Sequence, residues 1–241
     1  MFLAIDTGNT NTIFAVFDGE KKIADWRCKT IVGRTADEYA VWLEPLFRHE
    51  GLDFAVITDV IASSVVPDVN FDLRKLGEKY FGRKTMIVGQ DIKDTGLEID
   101  LDRPEELGAD RIVNSVAALA YYDVPAIIVD FGTATTFDII NDKGVYCGGA
   151  IAPGVNLSME ALHMAAAQLP TIHLKKPEKV VGTNTVEALQ SGLYWGYASM
   201  IEGMIHRLSQ EMGLSARPNV IATGGLATLF QKDLPQLTVI D

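Results

Sequence analysis

The sequence has little cysteine. Only Cys28 and Cys147 occur among its 241 residues. They lie far apart and form neither a CxxC pair nor a zinc-ligand spacing, which argues against a zinc site and a disulfide framework. We expect two buried or half-buried thiols. This usage fits a reducing compartment, and we expect the protein to be cytoplasmic.

Basic residues are also scarce. The chain has 21 Lys and Arg against 32 Asp and Glu, a formal net charge of -11. Proteins that bind nucleic acids need a basic face, so we expect no nucleic-acid partner. The net charge would not attract an anionic ligand over a distance. Such a ligand would have to be held by Mg²⁺, main-chain N–H groups and local cations.

Long hydrophobic runs and the common phosphate-binding signatures are absent. No apolar run approaches the roughly 20 residues of a membrane helix, and the longest candidate, Val124–Val129, contains Pro125. The first residues lead into a predicted strand without a basic segment, so we predict neither a signal peptide nor a membrane partner. The chain has no GxxxxGK[ST] and no GxGxxG after a strand, which argues against a P-loop and a dinucleotide-binding fingerprint.

An internal repeat is present instead. Asp6, Gly8 and Thr12 match Asp130, Gly132 and Thr136 at an offset of 124 residues. Each copy reads as a strand, an Asp-x-Gly turn and a second strand. The repeat predicts two similar α/β domains, residues 1–115 and 116–241. Two acidic, hydroxyl-rich turns on related halves predict a cleft that holds a phosphate chain and its cations.

Local patterns predict the elements of both halves. Alternating or continuous apolar runs predict strands, and capping residues such as Thr35 with Glu38 predict helix starts. Residues 90–106 are polar and are predicted to be a loop. The predicted strands span 2–6, 12–17, 23–29, 56–63, 85–88, 126–130, 135–141, 145–151, 219–222 and 237–240, and the predicted helices 36–51, 67–80, 107–122, 153–166, 184–212 and 225–230.

The first turn carries groups suited to phosphate and Mg²⁺. Gly8 permits a tight turn or a close main-chain approach, and residues 9–12 offer amide and hydroxyl donors. The Asp6 carboxylate can hold Mg²⁺ directly or through water. An ordinary hairpin rich in Asn and Thr is the alternative. The second copy at residues 130–136 argues against it.

Segments along the chain resemble a known superfamily. Asp6–Thr10, Asp130–Ala134 and Thr223–Gly225 resemble the actin-like ATPase and sugar-kinase superfamily. Within it, Glu106–Arg111, Gly148–Gly154 and Gly182–Thr185 closely resemble type III pantothenate kinase. The match runs in order from residue 2 to residue 229. Each motif alone is weak, but their order and spacing are specific.

The resemblance implies a fold and an activity. The implied fold is α/β, with two tandem ribonuclease H-like (actin-like ATPase) domains whose mixed β-sheets are flanked by helices. The implied activity is ATP-dependent phosphorylation of pantothenate to 4'-phosphopantothenate, the entry to coenzyme A synthesis. The implied ATP-binding residues are Asp6, Thr7, Gly8, Asn9, Thr10, Asn11, Thr12, Ile13 and Thr133, with Mg²⁺ at Asp6.

Asp130 ends an apolar strand, so its charge needs partners. Taken alone, the residues around it predict only a cation or phosphate site. The resemblance implies a monovalent cation, K⁺ or NH4⁺, at Asp130. Glycines in 148–154 and 223–225 would let the main chain approach a flat ligand, and plain turns that cap strands are the alternative.

Asp110 lies in the predicted first turn of a helix, where the helix dipole favours a carboxylate. Phosphoryl transfer tolerates a weak base because the alcohol loses its proton late. An Asp that pairs with the neighbouring Arg111 is the structural alternative. The resemblance implies that Asp110 is the general base. It also implies that pantothenate contacts Leu101, Gly108, Ala109, Asp110, Arg111 and Thr185.

The longest predicted helix carries small residues on one narrow face. Gly192, Gly196, Ser199 and Gly203 fall at helical spacing, and each glycine costs about 1 kcal/mol relative to alanine. Close contact with another helix would explain them, and that helix is either internal or in a second subunit. The resemblance implies a homodimer with pantothenate bound near its interface.

The sequence departs from the resemblance at two places. Leu101 stands where some relatives carry an aromatic residue, and relatives usually continue beyond residue 241 into a last helix. Two alternatives stay open on the sequence alone. One is a catalytically reduced regulatory protein, which the intact Asp6, Asp110 and Asp130 argue against. The other is a kinase for another small alcohol.

Overall fold

The structure is a computed structural model that describes residues 1–165, 169–213 and 217–241. The chain divides into two compact units. Residues 1–96 and 105–113 form the first unit, and residues 97–104 and 114–241 form the second.

The first unit contains a five-stranded mixed sheet. Its strands are β1 (Phe2–Thr7), β2 (Asn11–Asp18), β3 (Lys21–Lys29), β4 (Asp59–Ser64) and β5 (Thr85–Ile87). They lie in the order β3-β2-β1-β4-β5. The hairpin pairs β1–β2 and β2–β3 are antiparallel, whereas β4 is parallel to both β1 and β5. The three predicted strands of the repeat are therefore confirmed here.

Helices cover the apolar side of this sheet. Helix α1 (Ala36–His49) begins with the predicted capping box of Thr35 and Glu38, and its Tyr39, Leu43 and Phe47 are buried. They pack with residues of β1 and β2 that alternate along each strand, such as Leu3 and Phe14. The period-2 pattern of the strands and the period-3.6 pattern of the helix thus meet in one core.

The predicted helix at residues 67–80 is only partly confirmed. The structure has a 3-10 turn (Pro67–Val69), helix α2 (Asn70–Leu76) and a π-helical turn (Gly77–Phe81). A Cβ on Gly77 would overlap the Thr85 hydroxyl and lie 2.8 Å from the carbonyl oxygen of Arg83. This tertiary contact, which the sequence pattern did not reveal, accompanies the change in helix type.

The strand predicted from residue 56 begins at Asp59, because Phe54–Val56 is a 3-10 turn capped by Asp53.

The second unit repeats the first. Its strands include β7 (Ala126–Phe131), β8 (Ala134–Ile140), β9 (Val145–Pro153), β10 (Asn219–Thr223) and β11 (Val239–Ile240). The order β11-β10-β7-β8-β9 carries the same parallel and antiparallel pairings as β5-β4-β1-β2-β3. A short strand β6 (Glu98–Ile99) extends the sheet beside β9. It lies in the segment predicted to be a loop.

Among the described residues, four helices lie wholly or partly in the second unit. Helix α3 (Ala109–Tyr121) begins in the first unit and ends in the second, and α4 (Val155–Ala165), α5 (Thr185–Glu211) and α6 (Ala227–Phe230) follow. Asn184 caps α5 as predicted, because its side chain accepts from the Glu187 N–H at 3.0 Å. The predicted last residue of the fourth helix, Ala166, lies outside the described residues. Within the described ranges, none of the helices is both long and apolar enough to cross a membrane.

Candidate functional site

The turn between β1 and β2 presents exposed polar groups at the end of the first sheet. The Gly8 N–H donates to the Asn11 carbonyl at 3.0 Å, which closes the turn. Asn9 and Thr10 at its tip are exposed. The structure therefore places all the predicted nucleotide residues from Asp6 to Ile13 on one hairpin.

Asp6 lies on the face of the sheet opposite the α1 core. It pairs with Ile13 across β2 and with Ser63 across β4. The residue as a whole is exposed, but its carboxyl group is partly surrounded by protein atoms. This partial desolvation raises the pKa of Asp6 above its ordinary value of 3.8, the Ser63 hydroxyl partly offsets the rise, and the negative charge of Asp110 adds to it.

Asp110 lies in the first turn of α3, as predicted. Its Oδ1 accepts from the Arg111 N–H at 2.8 Å, so a main-chain donor at the helix start orients the carboxylate. A Cβ on Gly108 would lie 2.5 Å from the same Oδ1. The Gly-Ala-Asp-Arg pattern thus has a local physical reason: glycine leaves room for the carboxylate to fold back against its own helix start.

Within the first unit, the negative charge of Asp110 acts on Asp6. Two nearby carboxylates repel, and a cation would relieve both. No group of three or more His, Cys, Asp or Glu side chains that could hold a metal occurs among the residues the structure describes. A metal at Asp6 would therefore need most of its ligands from water and a bound phosphate chain, which is the usual manner of Mg²⁺.

The second unit holds the repeated acid, Asp130, at the equivalent place in β7. Asn114, one helical turn after Asp110, donates from Nδ2 to Asp130 Oδ2 at 3.3 Å. Asp130 lies opposite Thr136 on β8 and Thr223 on β10. A Cβ on Gly224 would lie 2.6 Å from Asp130 Oδ1, and the φ of Gly224 is +89°. The glycine therefore brings the turn after β10 directly against this carboxylate.

The turn between β7 and β8 is held by the residue after β9. The Gly132 N–H donates to the Ala134 carbonyl at 3.1 Å, and the Gly154 N–H donates to the Thr133 carbonyl at 3.0 Å. A Cβ on Gly154 would overlap the Thr133 carbonyl and lie 2.6 Å from that of Gly132. The close approach that Gly154 permits is therefore to this turn.

Two further predicted residues lie elsewhere in the second unit. A methyl group of Leu101 is 3.5 Å from where a Cβ on Gly148 would stand, so the leucine covers the glycine of β9. Thr185 begins α5 and lines a cavity of about 700 Å³. Polar residues of the α5 start line one part of it, and apolar side chains such as Leu162 and Leu189 line another.

The sequence analysis missed several residues beside these acids. Ser63 next to Asp6 has no local signal, because strand pairing brings it there from 57 residues away. Asn114 could have been found, since it follows Asp110 by four residues on the same helix face. The contact of Gly224 with Asp130 depends on the parallel pairing of β7 with β10.

Comparisons with known proteins identify related sequences and structures. The family model of type III pantothenate kinase matches residues 2–207. Type III pantothenate kinase of Rhodospirillum rubrum is 53% identical over 241 residues, which is 100% of this chain and 93% of the relative. That of Halalkalibacterium halodurans is 48% identical over 241 residues, 100% of this chain and 94% of the relative.

A solved structure shows the same fold at low identity. The activator of the 2-hydroxyisocaproyl-CoA dehydratase from Clostridium difficile, with bound ADPNP, superimposes with a TM-score of 0.53 and 12% identity. The alignment covers 100% of this chain and 88% of the activator. The fold is thus that of two tandem ribonuclease H-like (actin-like ATPase) units. Since both the family model and full-length relatives near 50% identity match, the chain belongs to the type III pantothenate kinase family.

Proposed function

We propose that the protein is a pantothenate kinase, which transfers the γ-phosphoryl group of ATP to the primary hydroxyl of pantothenate and so makes 4'-phosphopantothenate for coenzyme A synthesis. The observation that carries the proposal is that the two acids Asp6 and Asp110 lie near enough for the charge of Asp110 to act on Asp6. One carboxylate lies beside a polar turn suited to phosphates, and the other lies within its electrostatic reach at a helix start. Family membership gives the substrate.

Asp110 takes the part of the general base. The pantothenate hydroxyl oxygen forms a bond to the γ-phosphorus, the bond from phosphorus to the β–γ bridging oxygen breaks, and Asp110 accepts the hydroxyl proton. The Arg111 N–H holds the carboxylate for this step at 2.8 Å. A positioned base typically contributes about 10²- to 10⁴-fold to the rate.

The residues present fit Mg²⁺ and a monovalent cation. Asp6 supplies an oxygen ligand, directly or through water. The nearby negative charge of Asp110 disfavours the ionised Asp6 carboxylate when no cation is bound. Bound Mg²⁺ would neutralise the charge that develops on the phosphate chain. Asp130, approached by the turn at Gly224, supplies oxygen for K⁺ or NH4⁺. Thr133 and residues 6–13 contact ATP.

Pantothenate contacts Gly108, Ala109 and Arg111 beside Asp110, together with Leu101 and Thr185. The Arg111 guanidinium offers a planar fork that suits the pantothenate carboxylate. Leu101 offers an apolar surface without a hydroxyl donor, which suits the gem-dimethyl group.

The protein acts in the cytoplasm, and the proposed domains are residues 1–115 and 116–241, since each range contains one complete set of the repeated strands.

An ADP-release assay tests the activity. With ATP and Mg²⁺, we expect ADP release to depend on added pantothenate and to rise when K⁺ or NH4⁺ replaces Na⁺, since Asp130 is proposed to hold the monovalent ion. Detection of 4'-phosphopantothenate identifies the product. Absence of any pantothenate-dependent release would contradict the proposal and favour a regulatory relative. Release with a different small alcohol alone would favour a related kinase.

The exposed glycines of α5 support a homodimer. A Cβ placed on Gly192 or Gly196 would meet no described atom within 4 Å other than those of its own stretch of α5, so no other helix among the described residues packs against these two positions. Exposed apolar side chains lie in the segment before α5 and at its start, namely Val180, Val181 and Val186. A second copy packed against α5 would bury both the glycines and the exposed valines. Glycines on one helix face commonly allow such close packing of two helices.

The dimer predicts a result for Gly196→Leu. The new side chain meets open space within one subunit and improves helix propensity by roughly 1 kcal/mol, so the variant should fold. In the dimer it would block close packing, and sedimentation should show a monomer. Ala120→Leu, an exposed position on α3, is the matched control and should remain dimeric. A wild-type protein that is a stable monomer at micromolar concentration would overturn the dimer.

A further inference from the structure

The residue that follows the third strand of each repeat contacts the turn between the first two strands. In the first unit this residue is Thr30, directly after β3, and in the second unit it is Gly154, directly after β9. The two positions differ by 124 residues, the offset of the repeat. Neither residue was predicted to take part in holding a turn.

Thr30 makes three hydrogen bonds around the first turn. Its N–H donates to the Thr10 carbonyl at 3.0 Å, and its Oγ1 donates to the Gly8 carbonyl at 2.7 Å. Its Oγ1 also lies 2.9 Å from Thr12 Oγ1. Because the Thr30 hydroxyl proton is used on Gly8, Thr12 is the donor in that third bond. One side chain thus joins both ends of the turn.

Gly154 keeps the main-chain part of this arrangement. Its N–H donates to the Thr133 carbonyl at 3.0 Å, whereas the Thr30 N–H donates to Thr10, so at the repeat offset the two acceptors differ by one position. A side chain at 154 would overlap the main chain of the turn, so the second unit cannot use a hydroxyl there. Both repeats therefore hold their turn from the same position, and only the first adds a side chain.

We propose that Thr30 is a positioning residue that holds the turn Gly8–Asn11 in the shape that receives the ATP phosphates. The inference rests on the proposed function. The Thr30 hydroxyl holds the negative end of the Gly8 carbonyl dipole and keeps it from turning toward phosphate oxygens, which it would repel. Thr12 is completely buried. Its hydrogen bond with Thr30 therefore lies on the core side of the sheet, away from the exposed tip of the turn at Asn9 and Thr10.

Thr30→Val tests the role, because valine keeps the branched shape and removes the hydroxyl. We expect the KM for ATP and the Kd for a non-hydrolysable ATP analogue with Mg²⁺ to rise roughly 3- to 10-fold, the usual effect of one lost hydrogen bond. The KM for pantothenate should change by less than about 2-fold, since the residues proposed to contact pantothenate lie outside this turn. Thr30→Ser keeps the hydroxyl and should restore nucleotide affinity.

Thr58→Val is the matched control. The Thr58 hydroxyl also donates to a main-chain carbonyl of the first unit, that of Met1 at 3.0 Å, but at the other end of β1. It should leave nucleotide binding at the wild-type level, and melting temperatures of all variants report any general loss of stability. If Thr30→Val does not fold, Thr30→Ala is measured in the same way.

Three results would overturn the inference: wild-type nucleotide affinity in the variant without the hydroxyl, an equal loss in Thr58→Val, or no recovery in Thr30→Ser. Failure of the proposed function is a separate result. It would appear as wild-type protein without pantothenate-dependent ADP release, whereas binding of the ATP analogue would still report on Thr30.

Discussion

Asp110→Asn is expected to lower kcat by at least about 10²-fold, the typical effect of losing a general base, while ATP still binds. Asparagine is nearly isosteric and cannot accept the hydroxyl proton. The negative charge of Asp110 raises the pKa of Asp6, so its removal should lower that pKa. Asp6 should then hold its proton less tightly, and Mg²⁺-dependent ATP binding should be as strong as in the wild type or stronger.

Asp37→Asn is the matched control for this variant. Asp37 also lies in the first turn of a helix of the first unit, and its carboxylate accepts bonds from Lys79 and Tyr80 at 2.7 Å. Its substitution should lower the melting temperature slightly and leave kcat unchanged. Steady-state ADP release and calorimetric ATP binding distinguish the two variants. Near-normal turnover of Asp110→Asn would eliminate Asp110 as the base.

Asp6→Asn is expected to lower kcat/KM by about 10²-fold or more, because a Mg²⁺ ligand is worth several kcal/mol in the transition state. Unlike Asp110→Asn, it should also weaken binding of Mg²⁺ with ATP. The free protein should become slightly more stable at neutral pH. The ionised Asp6 carboxylate is penalised by desolvation and by Asp110, and asparagine carries no charge to penalise.

The pH dependence of this stabilisation has a definite sign. The pKa of Asp6 is raised in the folded state, so between its ordinary value of 3.8 and the raised value the folded state binds more protons than the unfolded state. Wild-type stability therefore falls as the pH rises through this window. The advantage of Asp6→Asn should be present above the window and vanish below 3.8.

Thermal unfolding of both proteins at neutral and acid pH measures this effect. Asp18→Asn is the control, since Asp18 is an exposed acid at the end of β2 that is farther along the chain from the turn beside Asp6. A variant that is less stable than wild type at neutral pH would show that the Asp6 carboxylate contributes favourable interactions to the free fold. Unchanged binding of Mg²⁺ with ATP would exclude it as the Mg²⁺ ligand.

Much of the fold could be predicted because its signals are local. The hairpins β1–β2 and β7–β8 follow from continuous or alternating apolar runs interrupted by Asp-x-Gly turns. The start of α1 follows from Thr35 and Glu38, and that of α5 from Asn184. The end of α2 could not be predicted, since the approach of Gly77 to Thr85 is a contact between separate elements.

The residues of the candidate site also fall into two groups: those that local signals predict and those that depend on contacts between distant elements. Local pattern, the internal repeat and the family resemblance were enough to name Asp6, Asp110 and Asp130, because each of these acids ends an apolar strand or begins a helix. The neighbours of these acids, in contrast, follow from tertiary contacts. Ser63 next to Asp6, Gly224 against Asp130 and Thr30 beneath the first turn are brought there by strand pairing. Such pairing joins residues that are distant in the chain, and no spacing along the sequence records which strand will be the neighbour.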